Sequence, residues 1–493
     1  MAATGKPNSD RVAKALHAHQ VVALALGTLI YVLAVTGTLS VFNREIQRWE
    51  QPDAPEMTAI SPTAAAAAAA TVFESEETPT THLYINFPQP DLPRTVITTD
   101  TQAFFANPDG TVAGREHFPW TQFLLDLHYY LHLPQILGLT VVGALGAFLI
   151  AMSISGFIAH PRIFRDAFTF RRGAGLLPLA DLHNRLSVWT APFHISNALT
   201  GALLGLASIL AFAIAASSFE GDTNRVFAPV FGGEGAPSEE TAPLANIEGP
   251  LSYMAQEFPQ LPLTFFILHD PGTAGQHSSV IAKHEDRLIF GDYYNFDAAG
   301  RFEGNVGLSD GTVGQQIIGS VYNVHFGNWG GLAVKLAYGL FGVILCIIIA
   351  SGMRIYFLRR QQKGRPAPRL AAGWEAVVWG TPAVLAATLL AAVGAGLEGS
   401  VLVATFWAGL VLTVVISGWT GQEIKVRRLL KLATALLLIL AVAVHGLTHG
   451  TSAFGGAAWP ISVAGISLGV AALALLARGS ATLKTEPPSP TLP

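Results

Sequence analysis

Cysteine is nearly absent from this chain: Cys346 is the only one among 493 residues. A lone cysteine excludes disulfides within the chain, cysteine-ligated iron–sulfur clusters and covalent c-type haem attachment. Charge is scarce too. Asp, Glu, Lys and Arg make up 13% of residues, about half the roughly 25% usual in a soluble globular protein, so the chain is not wholly soluble. No G-x-G-x-x-G stands in a strand–turn–helix setting and no Walker motif occurs. These absences set aside an internal flavin or nicotinamide domain and ATP-driven transport. Zinc-protease and nucleophile-elbow signatures are also missing, and the acidic surplus of the long polar segments argues against nucleic acid as a partner.

What the chain has in quantity is apolar sequence, 51% of residues with a mean hydropathy of +0.43. Runs near 20 apolar residues predict an α-helical integral membrane protein in contact with the lipid bilayer. Eight spans are expected, at 21–42, 136–159, 188–216, 329–357, 375–395, 401–419, 429–450 and 459–477. The first run, Val21 to Phe42, follows Lys6, Arg11 and Lys14; it is longer than a signal h-region and reads as a retained span. Basic residues mark the N-terminus (1–20) and the 160–187, 358–374 and 420–428 connections, among them Arg162, Arg165, Arg171, Arg172, Arg359, Arg360 and Arg427. The positive-inside rule puts these in the cytoplasm. Both termini, including the tail 478–493, then lie inside, and two acidic segments, 43–135 and 217–328, lie outside.

Each outside segment reads as a small α+β domain. In the first, Ser61-Pro62 followed by the alanine run 64–70 predicts a capped helix; the alternative is a flexible spacer. His82 to Phe87 and Thr95 to Thr99 read as strands before the turn Asn107-Pro-Asp-Gly110. In the second, Leu251 to Phe258 is the helical counterpart. Leu263 to Leu268, Ser279 to Lys283 and Leu288 to Phe290 read as strands before Phe296-Asp-Ala-Ala-Gly300.

The histidines reveal a duplication. Thr36-Gly37 begins 17 residues after His19, and Thr200-Gly201 begins 17 residues after His183. His132 and His325 each meet a glycine six residues on, Gly138 and Gly331. Parallel repeats bring such histidines face to face about an axis along the membrane normal, and two facing histidines predict a haem iron held from both sides. His19 and His183 are the expected ligands of an inner haem, with His17 as the alternative. His132 and His325 are the expected ligands of an outer one. His128, on the face of His132, replaces it, orients it or contacts substrate; a shared face does not separate these roles.

The combined motifs resemble the PepSY-associated transmembrane family. They are Val35-Thr-Gly-Thr-Leu-Ser-Val-Phe-Asn-Arg-Glu45, Leu127-His-Tyr-Tyr-Leu-His132, the run from Ser155 to Arg171, Asp181-Leu-His-Asn-Arg-Leu-Ser-Val-Trp-Thr-Ala-Pro-Phe-His194 and Val324-His-Phe-Gly-Asn-Trp-Gly-Gly331. The resemblance covers roughly residues 11–360. It implies a duplicated helix–PepSY-like domain–helix unit followed by a four-helix extension, in a bacterial inner membrane with both PepSY-like domains in the periplasm. It also implies a link to iron acquisition, since some members are b-haem ferric-siderophore reductases.

The resulting expectation is a reductase with two haem b groups (protohaem IX). It would pass electrons from quinol or a cytoplasmic reductase to a periplasmic ferric siderophore. The alternatives are a non-catalytic module that binds or transports iron chelates or a partner protein, and a haem reductase with another acceptor. Further candidates follow from position. His194, about 16 Å along the helix from His183, reads as a ligand, a proton relay or a packed histidine. His160 reads as a contact of the inner haem, a propionate or a quinone, or as a plain loop residue. Lys335, Arg185 and Arg162 are candidates for propionates or for snorkelling. Trp120, Tyr129, Tyr130, Tyr322 and Trp329 read as an outer substrate site or an aromatic belt. His445 and His449 read as interfacial or metal-binding.

Overall fold

The computed structural model describes residues 7–173, 175–231, 238–284, 286–455 and 458–482; the end of the expected tail, from 483 on, lies outside the described residues. In chain order the helices are α1 Pro7–Ser40, α2 Asn43–Glu50, α3 Pro62–Glu74, α4 Pro119–Tyr130, α5 Gln135–Ala159, α6 Ile163–Asp166, α7 Leu176–Trp189, α8 Ala191–Ser218 and α9 Asn224–Phe231. They continue with α10 Glu248–Glu257, α11 Val313–Phe326, α12 Gly331–Gln362, α13 Pro368–Ala395, α14 Gly399–Thr420, α15 Glu423–His449 and α16 Trp459–Thr482. Strands β1 His82–Asn86, β2 Thr95–Thr98, β3 Ala103–Ala106 and β4 Val112–Arg115 precede α4. Strands β5 Leu263–His269, β6 His277–Ala282, β7 Asp292–Phe296 and β8 Phe302–Val306 precede α11.

Among the described residues seven helices are long and apolar enough to cross a membrane: α1, α5, α8, α12, α13, α14 and α15 with its short continuation to Phe454. The eighth expected span falls on α16, whose described apolar stretch, Trp459–Ala474, is shorter. The chain divides into two compact units, one of residues up to 52, 119–202 and from 335 onward, the other of 53–118 and 203–334.

The helical unit is held by polar clasps between apolar helices. The Glu50 carboxylate accepts from the backbone N–H of Trp120 (2.9 Å) and Thr121 (2.8 Å) and from the Thr121 hydroxyl, satisfying donors that the first turn of α4 leaves open. Trp120 is buried and its indole donates to Thr388 Oγ1 at 3.1 Å, so it belongs to the core between α4 and α13 rather than to a substrate site. Tyr31 donates to the Val378 carbonyl at 3.0 Å. His445 stacks on Trp49 at 3.8 Å and donates from Nε2 to the Trp49 carbonyl at 2.7 Å, and His449 lies beside it at 4.6 Å. Both therefore serve packing. The extension after residue 360 thus grips α1, α2 and α4 through specific side chains.

The second unit holds one eight-stranded antiparallel sheet, in the order β4-β3-β2-β1-β5-β6-β7-β8. The sequence led us to expect two separate domains; instead β1 pairs with β5, from His82 opposite His269 to Asn86 opposite Phe265. An isolated four-stranded sheet would leave this edge unpaired, and pairing the two edges removes that liability. One face packs Leu83, Ile85, Ile97, Phe266 and Leu268 against Ala65, Ala68, Ala69 and Val72 of α3 and Leu251 and Met254 of α10. The alanine run is thus a packed helix, with the Ser61 hydroxyl accepting from Ala64 N. Gly110 takes φ +88° and its N–H bonds the Asn107 carbonyl; Gly300, at φ +81°, does the same to Asp297. The two turns join β3 to β4 and β7 to β8. Leu288 to Phe290 is not a strand, and β3, β4, β7 and β8 were not anticipated.

Candidate functional site: a histidine-lined cavity

The helical unit encloses a cavity of about 600 Å³ whose lining includes His19, His160, His183 and His194. Its two central histidines arrive from different elements. His19 lies within the long helix α1, whereas His183 lies on α7, which stops at Thr190 before α8 begins. Pro192 accounts for the break, since a proline at that place has no N–H to extend the ladder of α7.

Both imidazoles are fixed in the same way. His19 Nδ1 bonds the Met152 carbonyl at 3.0 Å and lies 3.3 Å from Ser155 Oγ. His183 Nδ1 bonds the Ile348 carbonyl at 3.0 Å and lies 3.1 Å from Ser351 Oγ. A carbonyl only accepts, so Nδ1 carries the proton in each ring and Nε2 keeps its lone pair. A carbonyl on the far nitrogen is the usual second partner of a metal-ligating histidine. Burial, with His19 beside it, pushes the His183 imidazole down to about 4, so it is neutral at pH 7, as ligation requires.

A Ser-Gly pair sits behind each ring. A Cβ added at Gly156 would lie 3.5 Å from His19 Cε1, and one at Gly352 would lie 3.0 Å from His183 Cε1. Ser155-Gly156 and Ser351-Gly352 are therefore repeat equivalents, which the histidine spacing alone does not reveal. Placing the sequences after the two histidine helices side by side would have exposed them.

Polar groups gather on the same lining: Arg171, Asp181, Tyr356 and Arg359. Arg171 grips the buried Asp181 through its backbone N–H (3.0 Å), Nε (2.7 Å) and Nη2 (2.5 Å), which holds the Asp181 carboxyl below the usual carboxylate range. His160 Nε2 stands 3.4 Å from Asp166 Oδ2. His194 is buried, with Nδ1 3.4 Å from Thr190 Oγ1.

Several expected contacts fall elsewhere. His17 is exposed and outside the cavity lining, because two residues along a helix turn it to another face. Arg185 lies over the rings of Trp189 (4.4 Å) and Phe170 (5.8 Å) and does not line the cavity. Arg162 is likewise exposed and away from the lining. Lys335 is buried against the Glu45 carboxylate at 2.7 and 3.0 Å, so its charge already has an anion.

At the other end of α1, the structure separates His128 from His132. His128, in the last turn of α4, puts Nδ1 3.2 Å from Thr36 Oγ1, and its ring fills the space beside Gly37. His132 lies beyond α4 at φ +56° and stacks on Phe123 at 5.0 Å; its Nε2 meets no hydrogen-bond partner among the described residues. Thus His128, not His132, reaches the Thr-Gly pair. Tyr129 lies 6.1 Å from the His128 ring, and Tyr130 packs edge-on to His132 at 6.2 Å. In the sheet unit, His325 occupies the last turn of α11 and Tyr322, half-exposed, packs at a tilt on Phe326 at 4.5 Å. Trp329 is 39% exposed in the same unit. A further row, His82, His269 and His277, crosses β1, β5 and β6, yet no group of three His, Cys, Asp or Glu among the described residues is placed to hold a metal ion.

The family described as PepSY-associated TM region matches residues 16–360. An uncharacterized protein of Pseudomonas aeruginosa is 33% identical over 129 residues. That stretch is 26% of this chain and 32% of the relative, so the similarity spans about a third of the relative's length. The duplicated histidines, the Ser-Gly pairs behind two of them and a match over more than half the chain agree: this protein belongs to the family of the PepSY-associated TM region.

Proposed function

We propose that this protein is a di-haem b-type transmembrane reductase. It would take electrons from the cytoplasmic side or the quinol pool and deliver them to a periplasmic ferric chelate such as a siderophore, which then releases Fe²⁺. The observation that carries the reading is the matched pair His19 and His183, each with Nδ1 on a backbone carbonyl and a lone pair left on Nε2.

The donor set fits a haem better than a bare ion. With no three-ligand group available, two imidazoles suit a metal that brings its remaining ligands with it, as porphyrin iron does. The cavity lies in the 300–1,000 Å³ range of cofactor sites. Gly156 and Gly352 keep the wall flat behind the rings, and Arg359 offers a cationic partner for propionates. Bound there, haem supplies one-electron exchange between ferric and ferrous iron. The chain's own part is to hold both imidazoles neutral and oriented, to exclude water with Ile348, Ile349 and Leu149 on the lining, and to neutralise carboxylates at the polar end.

For the second haem we assign His128, in the last turn of α4, whose ring packs on Thr36-Gly37; Thr200-Gly201 repeats that pair. The basic connections support a topology with both termini in the cytoplasm and the sheet unit in the periplasm of a bacterial inner membrane. Reduction lowers the charge on chelated iron, and a hard-oxygen chelate then holds it less tightly. The test is replacement of His19 and of His183 by alanine. Each variant is expected to lose one of two six-coordinate haem signals while the sheet unit stays folded; retention of both signals in either variant refutes the assignment.

A further inference from the structure

The cavity is symmetric where it would hold iron and asymmetric one turn further on. Four residues beyond Gly156 stands His160; four residues beyond Gly352 stands Tyr356. A spacing of four returns to the same helix face, and both side chains line the cavity. Each has its own charged partner. His160 faces Asp166 at 3.4 Å, and Tyr356 Oη accepts from Arg360 Nη1 at 3.2 Å. Symmetric positions thus carry a proton acceptor on one side and a hydroxyl donor on the other, with the apolar Phe157 and Ile163 on the same lining.

We propose that His160 and Tyr356 form the oxidation site of a membrane hydroquinone, the electron donor of this protein; this rests on the haem reading above. A hydroquinone presents two oxygens across a flat apolar ring. Tyr356, whose oxygen already accepts from Arg360, donates its hydroxyl proton to one oxygen. His160 takes the proton leaving the other, and the Asp166 carboxylate stabilises the imidazolium formed. Oxidation to the quinone releases two electrons and two protons. The two electrons would leave one at a time to the one-electron acceptor that His19 and His183 would hold, a haem whose iron cycles between ferric and ferrous. One proton leaves through His160, whose half-exposed side chain hands it to water, and the other leaves directly to water from the oxygen beside Tyr356.

The rival role for these side chains is to hold haem propionates, and the test separates the two. The purified, haem-loaded full chain is mixed anaerobically with decylubiquinol and haem reduction is followed by stopped flow. Decylubiquinone binding is read separately, as a thermal shift that does not depend on turnover. His160→Ala, Asp166→Asn and Tyr356→Phe are compared with the parent. We expect quinol-driven reduction to slow about a hundredfold in His160→Ala and the quinone-induced shift to shrink in all three. Haem content and the dithionite-reduced spectrum are expected to stay unchanged. A parent with two haems that decylubiquinol does not reduce, variants that react at the parent rate, or variants that lose haem instead each overturn the proposal. A parent without haem overturns the reductase reading itself, and the quinone thermal shift then decides whether the pair binds quinone.

Discussion

Three glycines give graded predictions for how tightly the histidines are held. A Cβ added at Gly156 would meet His19 Cε1 at 3.5 Å, at Gly352 His183 Cε1 at 3.0 Å, and at Gly37 His128 Cε1 at 2.6 Å. The first is ordinary contact. Alanine at 156 therefore gains the helix preference over glycine, about 0.5–1 kcal/mol, with no clash to offset it. At 352 the ring must retreat by a few tenths of an ångström, stretching bonds now at 3.0 and 3.1 Å. The helix gain and a strain near the lower end of the ~1–3 kcal/mol overpacking range then roughly cancel or leave a small loss. At 37 the ring must move by about 1 Å to reach normal carbon contact, and the His128 bond to Thr36 is lost. The expected cost is ~2–3 kcal/mol. Thermal unfolding of the detergent-purified variants, followed by tryptophan fluorescence, should rank Gly156→Ala at or above the parent, Gly352→Ala near or slightly below it and Gly37→Ala lowest. The haem spectrum should shift in the last two alone. Equal behaviour of Gly156→Ala and Gly37→Ala would refute the claim that the His128 ring is wedged against α1 while the His19 ring only touches α5.

Other predictions follow from single contacts. His128→Ala is expected to remove the second haem signal, and His132→Ala to leave it, as read by the reduced-minus-oxidised spectrum. Thr388→Val takes the acceptor from the Trp120 indole and should cost about 1–3 kcal/mol, seen as a lower unfolding temperature without loss of haem. Gly110→Ala forces a side chain into φ +88°, with its Cβ 2.6 Å from the Ala64 carbonyl, and should weaken hydrogen-exchange protection of β3 and β4 by about 1–3 kcal/mol. Burial, only partly opposed by Arg94, lifts the Glu116 carboxyl to about 7. Because the folded form binds the proton more tightly than the unfolded chain, stability falls as pH rises from about 4.5 to 7 and stays lower above that, by at most ~3 kcal/mol. Glu116→Gln should flatten this part of the unfolding profile between pH 5 and 8.

The membrane helices were legible because apolar length and loop charge report them directly. The turn at Asn107 and the capped alanine helix were legible because Pro62, Ser61 and Gly110 each meet a local backbone need. Joining of the two strand sets was not, since β1 and β5 are apart in sequence and their pairing leaves no local mark on either. Spacing alone picked out His19 and His183, which the structure brings to one cavity, but the spacing from His132 to the next glycine has another cause. Gly138 packs on the backbone and side chain of Tyr130 and says nothing of a haem. Position within the helix, not distance to a glycine, separates His128 from His132: the first is on α4, the second beyond its end. Arg185 and Lys335 were open in the sequence because a cation does not reveal its partner; Trp189 and Glu45 supply those partners.

The most direct test is the haem count per chain of the detergent-purified protein, by pyridine haemochrome together with oxidised and dithionite-reduced spectra. The account predicts two b-type haems per chain, both low-spin and six-coordinate. A chain that takes up no haem when expressed with ample haem would contradict it, and would leave the helices as a scaffold for binding or transport.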